Sequence, residues 1–222
     1  MKAFIVYWHP EPRSFNHAMF HAACEALKGA GNEVRTSDLH DMRFDPVSGR
    51  ENFKTIKDPD YLKLQFEELH AAEANGFSAE IDSEIKKIEW CDLMIWQFPF
   101  WWFGLPAALK GWVDRVFAMG RLYGGGQIYE TGTCRGKRAL LSLTTGGPEK
   151  AYLKDGFNGD IGGILRPIQR GILQFVGFDV LAPQIVYGPA RMTDDERARQ
   201  LAGYASRLKH IGEESPMDVG GY

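Results

Sequence analysis

The run Gln97-Phe98-Pro99-Phe100-Trp101-Trp102-Phe103-Gly104-Leu105-Pro106 places five aromatics and two prolines in ten residues. Such a run makes a stiff, flat, apolar platform, better suited to a large planar ring than to a sugar, a metal or a phosphate. The same residues also fit a buried strand end with core aromatics. A second segment, His9-Pro10-Glu11-Pro12-Arg13-Ser14-Phe15-Asn16, leads into a helix start. Free N–H groups and the positive dipole end, with His9, Arg13, Ser14 and Asn16, compose an anion site for a phosphate or pyrophosphate. Ser14 alone would serve equally as a plain N-cap. The segment is neither G-x-G-x-x-G nor a P-loop, which disfavours a Rossmann NAD site or an NTPase. A third segment, Thr144-Thr145-Gly146-Gly147-Pro148, offers hydroxyls and unobstructed backbone N–H groups, as a polar ring edge requires, although a plain strand-to-loop turn also uses Gly-Gly. Phosphate, flat ring and polar ring edge are the parts of a flavin.

These segments need a scaffold that brings them together. Strand-like runs are Ala3–Trp8, Glu33–Ser37, Leu93–Phe98, Arg138–Thr144 and Asp179–Val186. The first, third and fourth are nearly continuous apolar runs, as in parallel strands covered on both faces. Helix-like segments alternate with them: Phe15–Lys28, Ala79–Trp90, Ala107–Met119, Asp160–Val176 and Thr193–His210. Gly29-Ala30-Gly31-Asn32 reads as a C-cap, Pro106 suits a helix start, and Thr193-Asp194-Asp195-Glu196 reads as a capping box. The alternation predicts an α/β doubly wound, five-stranded parallel sheet of flavodoxin-like order 2-1-3-4-5, with helices on both faces. The loops after strands one, three and four then meet at one edge. Two longer intervals, about 40–76 (with a helix near 60–74) and 120–136, are expected to be functional or interfacial. Residues 1–212 read as one flavin-binding domain and 213–222 as a surface tail.

Composition narrows the classes. The 222 residues carry 26 Lys+Arg against 29 Asp+Glu, a net charge of −3 with no long basic run, which disfavours nucleic acid. The three cysteines, Cys24, Cys91 and Cys134, form neither a disulfide framework nor a zinc motif. No metal is expected. The apolar start is too short for a signal sequence or a membrane span, so the expected location is the cytoplasm.

Several segments in one order resemble the flavodoxin-like NAD(P)H:quinone oxidoreductases of the DT-diaphorase type. They are Ser14-Phe15-Asn16, Gln97-Phe98-Pro99 with Trp102-Phe103-Gly104, Pro106-Ala107 with Leu109-Lys110-Gly111-Trp112, Arg115-Val116-Phe117, Thr144-Thr145-Gly146-Gly147, Gly159-Asp160, and Pro167-Ile168-Gln169 with Gly171-Ile172-Leu173. The likeness is to a short, bacterial-like form without the long C-terminal extension of the animal enzymes. The resemblance implies FAD, in preference to FMN, held at its pyrophosphate by His9, Ser14, Phe15 and Asn16. Pro99, Phe100, Trp102 and Phe103 would line the isoalloxazine. Thr144, Thr145, Gly146, Gly147 and Tyr152 would meet its polar edge, and Arg197 and Leu201 the adenine end. The family's glutamine near the adenosine corresponds to Lys63, with Gln65 close by. The implied reaction is ping-pong, with NAD(P)H reducing the flavin and a quinone then taking the hydride in the same place. Tyr152 corresponds to the family's catalytic tyrosine; Asn158 stands where its histidine partner would be, and cannot hold a proton near neutral pH. Trp101 replaces a frequent glutamine and, with Trp102 and Phe103, is expected to contact substrate.

Family members are homodimers with the site across the interface, so Phe175 is expected at the pocket wall given by the mate, or else in the core. Tyr123 and Tyr129 are expected over the pocket, or else at the surface. Other readings of the same features are a nitro- or azoreductase, a regulatory flavoprotein subunit of a potassium-efflux system, and an electron-carrier flavodoxin. The last is disfavoured by the aromatic platform, the long insertions and the mild charge.

Overall fold

The computed structural model describes residues 1–221. Parallel strands β1 (Lys2–Tyr7), β2 (Glu33–Asp38), β3 (Leu93–Pro99) and β4 (Arg138–Thr145) are followed in the sheet by β5 (Asp179–Val180), giving the order β2-β1-β3-β4-β5. A further strand, β6 (Gln184–Tyr187), also pairs with β4. The expected order is therefore present, with one difference. The run expected as a single strand over Asp179–Val186 is split, and its two pieces lie along different stretches of β4. Pro183 stands between them and has no N–H to give a ladder.

Side chains alternate across the sheet, so each central strand feeds two cores. Ala3, Ile5, Tyr7, Leu93, Ile95 and Leu140 face α1 (Phe15–Gly29) and α6 (Asp194–Lys209). Phe4, Val6, Met94, Trp96, Phe98, Leu141 and Leu143 face the other way. There they pack among residues of α3 (Ala79–Trp90), α4 (Ala107–Val116) and α5 (Ile161–Ile168). The helix expected near 60–74 is α2 (Leu64–Ala74). No helix among the described residues is long and apolar enough to cross a membrane.

Two expected helices end early. α4 stops at Val116, not Met119. The segment Asp160–Val176 is not one α-helix: α5 carries Pro167 inside its last turn and continues as a π-helical turn, Gln169–Gln174. Proline removes one i→i−4 bond and its ring crowds the preceding turn, so the ladder loosens there. The 40–76 interval is tied down by Arg115, buried on α4, which donates to Asn52 Oδ1 (2.7 Å) and to the Asp45 carbonyl (2.6 Å). Gly111 is needed at this crossing, since a Cβ there would lie 2.3 Å from the Pro46 carbonyl oxygen. The terminal segment is fastened to the body. Met217 N–H donates to Val180 O (2.8 Å), and Val219 is buried in the core.

Candidate active site

At the carboxyl edge of the sheet, the loops after β1, β3 and β4 enclose a cleft of about 880 Å³. That volume lies within the range of small-molecule and cofactor sites. From the first loop come His9, Arg13, Ser14, Phe15 and Asn16; from the second Pro99, Phe100, Trp101 and Trp102; from the third Thr144, Thr145, Gly146 and Tyr152. Pro189, Ala190 and Arg197 complete the wall.

The first loop is a helix N-terminus with unspent donors. Ser14 N–H bonds Glu11 O, and Ser14 Oγ accepts from His17 N–H (3.1 Å), so the serine hydroxyl acts as the N-cap. That leaves the N–H groups of Phe15 and Asn16 without partners among the described residues, as the first turn of a helix must. Burial holds the His9 imidazole below its usual range, and the ring is therefore neutral near pH 7. Its Nδ1 sits against the Glu11 backbone, 3.0 Å from the amide nitrogen and 3.2 Å from the carbonyl oxygen, which fixes the ring's orientation at the cleft.

The second loop is strained and outward-facing. Trp102 and Phe103 both have left-handed backbones, at φ 50° and 58°, unusual for two successive bulky residues. Their N–H groups have no partner among the described residues, while Gly104 N–H closes the turn on Trp101 O. Trp102 is 97% exposed, Phe103 52% and Trp101 44%. Trp101 meets Trp8 edge-on, with ring centroids 5.2 Å apart, and lies 6.1 Å from the His9 ring. The reading of this run as core therefore holds only for its strand half, where Phe98 and Phe100 are buried.

In the third loop, Thr145 Oγ1 donates to Gly147 O (2.8 Å), and the N–H groups of Gly146 and Gly147 have no partner among the described residues. Nothing lies within 4 Å of where a Gly146 Cβ would be, so the approach is open. Tyr152 and Asn158 converge on Gly147. A Cβ on that glycine would be 3.1 Å from Tyr152 Cε2, 3.6 Å from Tyr152 Oη and 3.6 Å from Asn158 Nδ2. Tyr152 also packs on Tyr187 (5.8 Å), whose own hydroxyl is pushed to a higher pKa by burial.

The family model for the flavodoxin-like fold matches residues 1–210. The NAD(P)H dehydrogenase (quinone) 1 of Cavia porcellus is 45% identical over 97% of this chain and 79% of its own length. The ribosyldihydronicotinamide dehydrogenase (quinone) of Mus musculus is 42% identical over 97% of this chain and 94% of its own. A Klebsiella pneumoniae protein provisionally called a quinone reductase superposes with a TM-score of 0.93 at 38% identity, covering 97% of this chain and 86% of that one. The chain belongs to the flavodoxin-like NAD(P)H:quinone oxidoreductase family. It is accordingly a flavoprotein of that family.

Within this family frame, some residues named from sequence lie away from the cleft. Leu201 lines a groove between α1 and α6 with Ala22, Ala26 and Ala205. Lys63 caps α2 with its Nζ over the Phe66 ring (4.1 Å), and Gln65 Nε2 donates to Tyr123 Oη (3.4 Å). Tyr123, Tyr129 and Phe175 form their own aromatic cluster, with Phe175 5.7 Å from Tyr123 and 5.5 Å from Tyr129. All three are half-buried, and none is among the residues lining this chain's own cleft. Arg197 is at the cleft, held by the carbonyls of Pro189 (3.2 Å) and Met192 (2.5 Å) and by Asp194.

Sequence reading missed the support beneath the floor. Gln97 is fully buried and bonded to Asn16 and Ser142, and Asn16 is bonded in turn to Thr144. A polar Gln and Ser inside apolar strand runs were the available signal. It also missed Arg191, whose guanidinium clasps Gly146 O.

Proposed function

We propose that this protein is an FAD-dependent NAD(P)H dehydrogenase (quinone) that reduces quinones by two electrons in a ping-pong cycle, as a homodimer. One observation carries the reading: three loops present unpaired N–H groups around a single cleft faced by exposed indoles. Those donors fit FAD part by part. Phe15 N–H, Asn16 N–H and the His9 ring suit a pyrophosphate at a helix start. Trp101, Trp102, Phe103, Pro99 and Phe100 suit the flat ring, and the Thr144–Gly147 turn with Tyr152 suits its polar edge. Arg197, at the far wall, supports a dinucleotide over FMN.

When bound, the flavin supplies a centre that accepts hydride and passes it on. The chain's own residues supply position and charge. The aromatic platform seats a planar nicotinamide or quinone and excludes water from it. The Tyr152 hydroxyl has no hydrogen-bond partner among the described residues and stands ready to donate where negative charge grows. Asn158, beside it, carries no titratable proton and orders the tyrosine or the substrate. Trp102 (97% exposed) leaves the cleft wall apolar and open, which supports closure by a second copy contributing its Tyr123, Tyr129 and Phe175.

The test is to release the cofactor with acid, identify it, and assay menadione reduction with NADH and with NADPH. FAD together with menadione turnover is the expected result. A colourless protein that takes up neither FAD nor FMN overturns the proposal.

A further inference from the structure

Under the cleft runs an unbroken line of buried side-chain hydrogen bonds linking β4, β3 and α1. Ser142 Oγ donates to Gln97 Oε1 (2.7 Å), Gln97 Nε2 donates to Asn16 Oδ1 (2.8 Å), and Asn16 Nδ2 donates to Thr144 Oγ1 (2.7 Å). Ser142 and Gln97 are fully buried, and Asn16 and Thr144 are buried too. Each link has a direction, and the direction has a cause. The Gln97 amide nitrogen also faces Met19 Sδ at 3.8 Å. An amide N–H is attracted to a thioether sulfur, whereas an amide oxygen would set lone pair against lone pair. The sulfur thus fixes which end of Gln97 points at Asn16, and Asn16 must then turn its own NH2 toward Thr144.

The last member is different from the rest. Thr144 Oγ1 receives a hydrogen bond from below, and its own hydroxyl proton has no acceptor among the described residues. Thr144 also lines the cleft. A hydroxyl whose oxygen is occupied from one side sends its proton to the other. We propose that Ser142, Gln97 and Asn16 form a directional relay that fixes the Thr144 hydroxyl as a hydrogen-bond donor to an acceptor atom of the flavin. This inference rests on the flavin reading above. Gln97, Ser142 and the Asn16 side chain are positioning residues, because they act through Thr144 and not on the ligand. The Asn16 side chain, expected at the pyrophosphate, is spent in this relay; its backbone N–H remains for the ligand.

Reversing one link should reverse the last. In Gln97→Glu a carboxylate still accepts from Ser142 but cannot donate to Asn16. Asn16 turns its NH2 to the carboxylate and its Oδ1 to Thr144. The threonine hydroxyl then donates downward and is lost to the cleft. The experiment is FAD titration of the apoprotein, followed by fluorescence, with fold and melting point checked for each variant. Gln97→Glu and Thr144→Val should each weaken FAD binding about tenfold, the effect of one neutral hydrogen bond. The double variant should be no weaker than either single, because both remove the same donated hydrogen. Thr144→Ser, which keeps the hydroxyl, should bind as the parent does. Losses that add in the double variant, or Gln97→Glu binding as the parent does, overturn the relay. If Gln97→Glu does not fold, the Thr144 pair decides: equal affinity of the Val and Ser variants overturns the proposal, and a Val-specific loss supports it. A parent protein that binds no flavin overturns the cofactor reading itself, a result distinct from either.

Discussion

Gly147→Ala is a sharp probe of the site because it adds one methyl group and nothing else. Gly147 has no left-handed backbone, so alanine there brings no conformational strain. Its Cβ would sit 3.1 Å from Tyr152 Cε2, while the Tyr152 hydroxyl and Asn158 Nδ2 stay at ordinary contact, each 3.6 Å away. Carbon atoms rest about 3.5–4.0 Å apart, so the tyrosine ring must retreat by about 0.5 Å. A misplacement of ~1 Å at a reacting centre costs on the order of a hundredfold, and half that distance on a logarithmic scale gives about tenfold. The expected outcome is a flavin reduction rate by NAD(P)H about tenfold slower in stopped flow. FAD affinity should fall by less than the rate does, because the His9–Asn16 loop is untouched and only the polar-edge end of the site is disturbed. A reduction rate within twofold of the parent would refute the assignment of Tyr152 to the reacting end of the cleft.

Four further outcomes are expected. Tyr152→Phe should slow flavin reduction by at least about tenfold through loss of a donor at the developing charge; unchanged stopped-flow rates defeat that role. Trp101→Gln removes the edge-on contact with Trp8, worth about 0.5–1.5 kcal/mol, and should widen the pocket toward bulkier quinones, read as kcat/KM across a size series. Glu84→Ala should cost about 3–5 kcal/mol in urea unfolding, since the buried carboxylate takes hydrogen bonds from Ser37 (2.7 Å), Lys87 (2.6 Å) and Trp112 (2.9 Å): Trp112 and Ser37 would lose their acceptor, and the Lys87 ammonium its counter-charge, keeping only Ser37 Oγ and the Thr36 carbonyl. The folded state depresses the His9 pKa, so the unfolded chain binds the proton more readily. The resulting stability is complete above about pH 6.5 and falls away as pH drops through the lower folded value. His9→Asn should remove that part of the pH dependence of the urea midpoint.

The main features of fold and site could be read from the sequence because they are local. Strand, aromatic loop and helix follow one another over Leu93–Val116, and apolar runs at β1, β3 and β4 announce a sheet covered on both sides. The alternation of elements then orders the sheet without any contact being known. What depends on distant partners was hidden. The relay joins residues separated by 45, 81 and 128 positions, and nothing near Gln97 in sequence marks its partners. The π-helical turn at Gln169–Gln174 was hidden as well, because the 3.6-residue pattern continues across it and only Pro167 hints at the change. Arg115 illustrates the opposite limit: it sits in a family-like segment, yet its guanidinium holds the 40–76 insertion and touches no cleft residue. Leu201, assigned to the adenine end by resemblance, lies one turn beyond Arg197 on α6 and lines the groove against α1, a position that its own neighbours in sequence do not reveal.

The most direct test of the central claim is an anaerobic single-turnover titration of the purified, FAD-loaded protein. One equivalent of NADH or NADPH should bleach the bound flavin, and one equivalent of menadione should then restore its oxidised spectrum with no radical intermediate. A protein that binds no FAD, or whose bound flavin neither nicotinamide can bleach, would contradict the account.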